Sequence, residues 1–132
     1  MLTRYGFGTR VPLPYDRAIE RTRVLLNEEG FGVLTEIDVQ KTMKEKLGVE
    51  FRRYIILGAC NPPLAHRAFE AELEIGLLLP CNVVVYEADG ESVVSVMAPV
   101  VALGIVGNEA LGPIAQEARV RLERVVARLR QG

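Results

Sequence analysis

Between residues 54 and 86 the chain makes an apolar run, a helical segment and a second apolar run, and each apolar run meets a turn signal at a Cys-Asn pair. The first reads Tyr-Ile-Ile-Leu-Gly-Ala-Cys-Asn-Pro-Pro over residues 54–63, the second Leu-Leu-Leu-Pro-Cys-Asn-Val-Val-Val-Tyr over 77–86. Ile55, Ile56 and Leu57 in succession are the pattern of a strand covered on both faces. Asn61 followed by Pro62 and Pro63 is a helix start: the Asn side chain accepts a free backbone N–H, and proline lacks the one that would be left over. A buried strand that runs straight into a helix, with a second strand returning from it, therefore occupies the middle of the chain. The rest must be arranged around it.

The flanks supply the other elements. Residues 2–8 alternate in character, with Tyr5 and Phe7 on one side, and predict a first strand that ends before Pro12 and Pro14. Tyr15, Ala18, Ile19, Thr22, Leu25 and Leu26 recur at helical spacing and predict a helix over 15–29, closed by Gly30. Residues 31–37 read as a short strand, and Asp38 as the cap of a short helix with Val39, Met43 and Leu47 turned inward. Residues 53–59 form the buried strand, and residues 64–75 a helix with Leu64, Ala68, Phe69 or Ala71, and Ile75 inside. The pair Asp89-Gly90 between two valine-rich runs predicts a tight hairpin. Leu111, Ala115, Ala118, Leu122, Val125 and Leu129 step by four and three along a terminal helix, a narrow seam for the sheet or a partner subunit to cover.

The order of elements, β-α-β-β-β-β-α with short extra helices, predicts an α+β fold: an antiparallel sheet with helices packed on one face, in a single domain over residues 1–132. A formal charge of -1 argues against broad electrostatic binding of nucleic acid. Apolar runs are broken by Pro80, Pro99 or Gly104 before they reach membrane-spanning length, and the N-terminus lacks the apolar core of a signal peptide, so the expectation is a cytoplasmic protein with no membrane partner. In that compartment Cys60 and Cys81 stay reduced. With 49% hydrophobic residues in so short a chain, one sheet face or part of the last helix is expected to be buried by a second copy, giving a homodimer.

Three ordered motifs carry a family resemblance: Gly-Phe-Gly-Val-Leu-Thr-Glu-Ile-Asp at residues 30–38, Gly-Ala-Cys-Asn-Pro at 58–62 and Leu-Pro-Cys-Asn-Val at 79–83. With Pro99 and the Ala and Leu seam of the last helix, they resemble the family of domain of unknown function 302 over nearly the whole chain. The resemblance implies a small α+β domain with a TATA-binding-protein-like arrangement of sheet and helices, associating as dimers, and it brings no established reaction with it. Many members carry His directly after the Asp at the position of Asp38, where this chain has Val39.

The candidate site follows from strand pairing. If the strand ending at Ala59 and the strand beginning at Val83 are antiparallel neighbours, Cys60 and Cys81 meet at one edge. Cys60 then sits just ahead of a helix start, where free amides and the helix dipole favour a thiolate. His66, in that helix, would complete a Cys60, Cys81, His66 donor set suited to zinc or copper with one open position. A small ligand would meet Cys60, Asn61, Cys81 and Asn82, with Glu36 and Asp38 of the glycine-led segment nearby. Each residue also has a plainer reading: free cysteines are often small core hydrophobes, Asp38 a helix cap, Glu36 a wet strand residue and His66 a surface histidine. Three functions fit these residues. The first is a ligand- or metal-binding or sensing module with its pocket near Cys60 and Cys81; the second is a thiol-dependent oxidoreductase or transferase using Cys60; the third is a structural, partner-binding subunit.

Overall fold

Asp89 and Gly90, at φ 53° and 81°, turn the chain into an antiparallel hairpin whose first strand is the central one of the sheet. The computed structural model describes residues 2–131. In chain order it runs β1 (Gly6–Val11), α1 (Tyr15–Glu28), β2 (Gly32–Asp38), α2 (Val39–Leu47), β3 (Tyr54–Cys60), α3 (Pro62–Ala71), a 3₁₀ segment (Leu73–Leu78), β4 (Cys81–Ala88), β5 (Glu91–Met97), α4 (Pro99–Gly104), a second 3₁₀ turn (Glu109–Leu111) and α5 (Gly112–Arg130). The strands pair antiparallel in the order β1-β5-β4-β3-β2, an open five-stranded sheet. This is the α+β arrangement that the sequence predicts.

Alternation sorts the two faces. Leu57 stands opposite Val83, Val83 opposite Val96, and Val85 opposite Val94, and all five are buried together under the helices. The seam of α5 is buried in full, from Ala115 to Leu129, and Ile114 and Val126 join it. Burying a side chain of this size stabilises the fold by about 2 kcal/mol relative to leaving it in water. The sheet, α1 and α4 cover the seam. The buried hydroxyls of Thr22 and Ser92 are satisfied by backbone: Thr22 Oγ1 donates to the Ala18 carbonyl one turn back at 2.7 Å, and Ser92 Oγ to the Leu13 carbonyl, distant in sequence, at 2.9 Å. The opposite face stays partly open, with Ile56, Val84, Ser95 and Met97 only half-buried and Ile37 exposed.

Several boundaries differ from expectation. The first strand spans Gly6–Val11 rather than residues 2–8, because β5 offers ladder positions only from Ser92 to Met97. The helix expected over residues 64–75 is two pieces: Glu72 is extended (φ -153°) between α3 and the 3₁₀ segment, and Ile75 reaches the core from the second piece. The short apolar stretch after Pro99 is helical, with the proline in its first turn. The inward face predicted for Val39, Met43 and Leu47 is not formed. Helix α2 buries none of its residues, and Leu47 is 69% exposed. It lies beyond the ends of β2 and β3, held by the Asp38 carboxylate accepting from the Lys41 N–H, by a left-handed cap at Gly48, and by Gln40 donating to the Phe51 carbonyl.

Candidate functional site

Strands β3 and β4 pair so that Ala59 stands directly opposite Cys81, and β3 ends one residue later at Cys60. Asn61 stops the strand and starts α3. Its Oδ1 accepts from the Leu64 N–H at 3.2 Å, and its Nδ2 donates to the carbonyl of Glu29, at the end of α1, at 3.5 Å. The strand-to-helix corner expected from Cys60-Asn61-Pro62 is thus built by the asparagine, itself buried.

At this corner lies an apolar cavity of about 290 Å³. Its depth is formed by Phe31, Ala59, Leu64, Ala68, Cys81 and Ile114, all buried. Toward solvent it is bounded by Leu34, Thr35, Phe69 and Gly76, with Leu79 and Pro80 between. Cys60 and Cys81 both line it, since it wraps around the sheet end where successive residues Ala59 and Cys60 face the same space. Small residues leave the room: Ala59, Ala65, Ala68 and Ala118 each take a place on the wall where a leucine would fill the void. At Gly58 a Cβ would fall 2.1 Å from Thr35 Oγ1 and 2.8 Å from Pro80 Cγ, so only glycine lets those two residues close over the strand.

Both thiols are free. Burial pushes Cys60 up from the ordinary thiol range, and burial together with the nearby Cys60 pushes Cys81 up to about 11. The thiolate expected at the helix start is therefore outweighed by desolvation, and both sulfurs are protonated at neutral pH.

The remaining sequence-predicted residues are placed elsewhere. His66 does not line the cavity: its ring is 76% exposed and faces Glu70 at 3.7 Å, one turn along α3. No group of three His, Cys, Asp or Glu side chains is arranged to hold a metal among the described residues, so the set of Cys60, Cys81 and His66 is not assembled within one chain. Asn82 is exposed opposite Gly58. Glu36 pairs with Arg23, placing an ion pair on edge strand β2. Asp38 caps α2, and with Asp16 it adds to the burial that lifts Tyr15 to about 12, partly offset by Arg53. Of the six ligand-site candidates, Cys60, Asn61 and Cys81 line the cavity; Asn82, Glu36 and Asp38 do not. Of the wall residues that sequence reasoning did not single out for the site, Phe31, Leu34 and Leu79 lie inside the motifs at 30–38 and 79–83, and Phe69 lies in none. The legible trace of the cavity is the alanines on the buried stripes of α3 and α5.

An open antiparallel sheet, helices on one of its faces and a thiol-lined cavity at one sheet end define a small α+β domain. Residues 7–129 match the family described as Domain of unknown function DUF302, and the chain belongs to it. The crystal structure of an uncharacterized conserved DUF302 protein from Bacillus stearothermophilus is similar, with a TM-score of 0.88 and 32% sequence identity over 96% of this chain and 99% of that one. Comparison with curated proteins finds no match. No helix is long and apolar enough to cross a membrane among the described residues.

Proposed function

We propose that this protein is a small-molecule-binding or sensing module whose ligand occupies the cavity lined by Cys60 and Cys81. One observation carries the reading: two cysteines distant in sequence converge on a preformed concave space walled by β2, β3, β4, α3 and α5, the kind of site that binds small molecules in folded domains. A reducing compartment such as the cytoplasm keeps both thiols available. The raised Cys60 thiol weighs against a thiolate-driven enzyme. A metal reading requires further donors from outside the chain, because two sulfurs alone leave a zinc or copper coordination shell incomplete. The partly open sheet face around Ile37, Ile56 and Val84 favours a second copy packed there, giving a homodimer.

Thermal unfolding of the purified protein against a panel of small molecules and of zinc and Cu(I) tests the binding reading. A ligand stabilises the folded state through mass action, by about 2.7 kcal/mol at a free concentration a hundredfold above Kd, and so raises the midpoint. Its effect is expected to shrink in Cys81→Ala and in a cavity-filling Ala68→Phe. Silence across the panel overturns the proposal.

A further inference from the structure

The chemistry of the cavity wall narrows the ligand. Among the described residues that line it, none bears a carboxylate, amine, guanidinium or imidazole. Asn61 has the strongest hydrogen-bonding side chain present, and its amide is already engaged on both sides, by the Leu64 N–H and the Glu29 carbonyl. What remains for a ligand is the Thr35 hydroxyl at the solvent side and two thiols, which are weak donors and acceptors. A carboxylate or phosphate entering this space would lose water and gain no counter-charge, which opposes its entry. Hydrocarbon gains from the same walls. A cavity of about 150 Å³ admits benzene, so one of about 290 Å³ has room for roughly twice that ligand.

We infer that the occupant is an uncharged, mostly hydrocarbon small molecule with a single hydroxyl or carbonyl group, its hydrocarbon part against Phe31, Leu64 and Ala68 and its polar group beside Thr35 at the mouth. This inference rests on the binding reading above and assigns its ligand class. Nucleotides, phosphorylated metabolites and carboxylates are excluded as occupants by the same walls.

The test uses N-phenylnaphthylamine, an uncharged dye that brightens in apolar surroundings, displaced by octanol or by octanoate at neutral pH. The dye is expected to bind, and octanol to displace it at a concentration at least about tenfold lower than octanoate, which differs from it in carrying a charge. Ala68→Phe is expected to abolish dye binding, and Ala65→Leu, at a half-buried wall position that tolerates growth better, to weaken it if the first variant fails to fold. Equal displacement by octanol and octanoate overturns the ligand class and leaves the binding reading standing. No dye binding to the wild-type protein overturns both, and unchanged binding in a folded Ala65→Leu protein places the dye elsewhere and overturns the assignment.

Discussion

Asn61 and Glu29, the caps at the start of α3 and the end of α1, are joined by a hydrogen bond from the buried Asn61 amide to the Glu29 carbonyl at 3.5 Å. The same carbonyl accepts from Arg121 at 3.0 Å, and the Glu29 carboxylate pairs with Arg124 at 3.1 Å, so the end of α1, the start of α3 and the middle of α5 meet at one residue. Asn61→Ala removes the α3 cap, worth about 1 kcal/mol, and one of two donors to a buried carbonyl, worth about as much again. A loss of roughly 1–2 kcal/mol is expected, seen as a lower urea midpoint at unchanged slope. A midpoint equal to wild type would show that Arg121 alone satisfies the junction.

Alkaline pH destabilises the protein through groups whose ionisation the fold opposes. Cys81 moves from 9.0 to about 11 and Tyr15 from 10.0 to about 12, both chiefly by burial. The folded state thus holds protons that the unfolded chain has released, and stability, intact below pH 9, falls as pH rises through the folded-state values. The unfolding midpoint is expected to drop between pH 9 and 11 and to drop less steeply in Cys81→Ala. Alkylation with iodoacetamide at neutral pH is expected to be slower than for a free peptide thiol and to fall first on Cys60, the more exposed of the two sulfurs. A Cys60 more reactive than a peptide thiol would restore the enzyme reading.

Gly58→Ala places a methyl group 2.1 Å from Thr35 Oγ1 and 2.8 Å from the Pro80 ring, both too close for contact. Thr35 is short and branched and cannot swing far, so strand β2 or the Pro80 turn must move, at a cost of about 1–3 kcal/mol. Thr35→Ala in the same chain removes the nearer clash. The double variant is expected to recover part of the lost stability, a coupling that denaturation of the two single variants and the double one measures directly. Additive losses would show that Pro80 alone sets the constraint.

How far the sequence could be read depended on how local each cause is. The Asp89-Gly90 turn, the Asn61 and Asp38 caps and the α5 seam are written in a few neighbouring residues, and each stands where those residues predict. The inward face of α2 failed because spacing alone made Val39, Met43 and Leu47 a stripe; nothing in the spacing says that α1 and α5 already fill the helix side of the sheet. Cys60 and Cys81 are legible as a pair on the condition that the two apolar runs they adjoin pair antiparallel, which β3 and β4 do. His66 was misplaced because helical phase turns it toward Glu70, and a sequence-level donor count carries no phase. The cavity itself, made of absences where alanine stands for leucine, is visible only once α3, α5 and the strands are in place.

The homodimer proposal makes its own prediction at Ile37. This residue is 51% exposed on edge strand β2, stands opposite the half-buried Ile56, and shares its row with Val84 on the face away from α1 and α5. In a lone subunit Ile37→Glu exchanges one wet apolar side chain for a solvated charge, a change of about 0.5 kcal/mol or less. In a dimer packed on this face the same carboxylate would be buried against hydrocarbon without a partner, at a cost of several kcal/mol. Light scattering after gel filtration is therefore expected to give a dimer for wild type and a folded monomer for Ile37→Glu, with the circular dichroism spectrum unchanged. Leu73→Glu, at an exposed position in the 3₁₀ segment, serves as the control and is expected to remain dimeric. A monomeric wild type, or dimerisation untouched by Ile37→Glu, would remove this sheet face as the contact between copies.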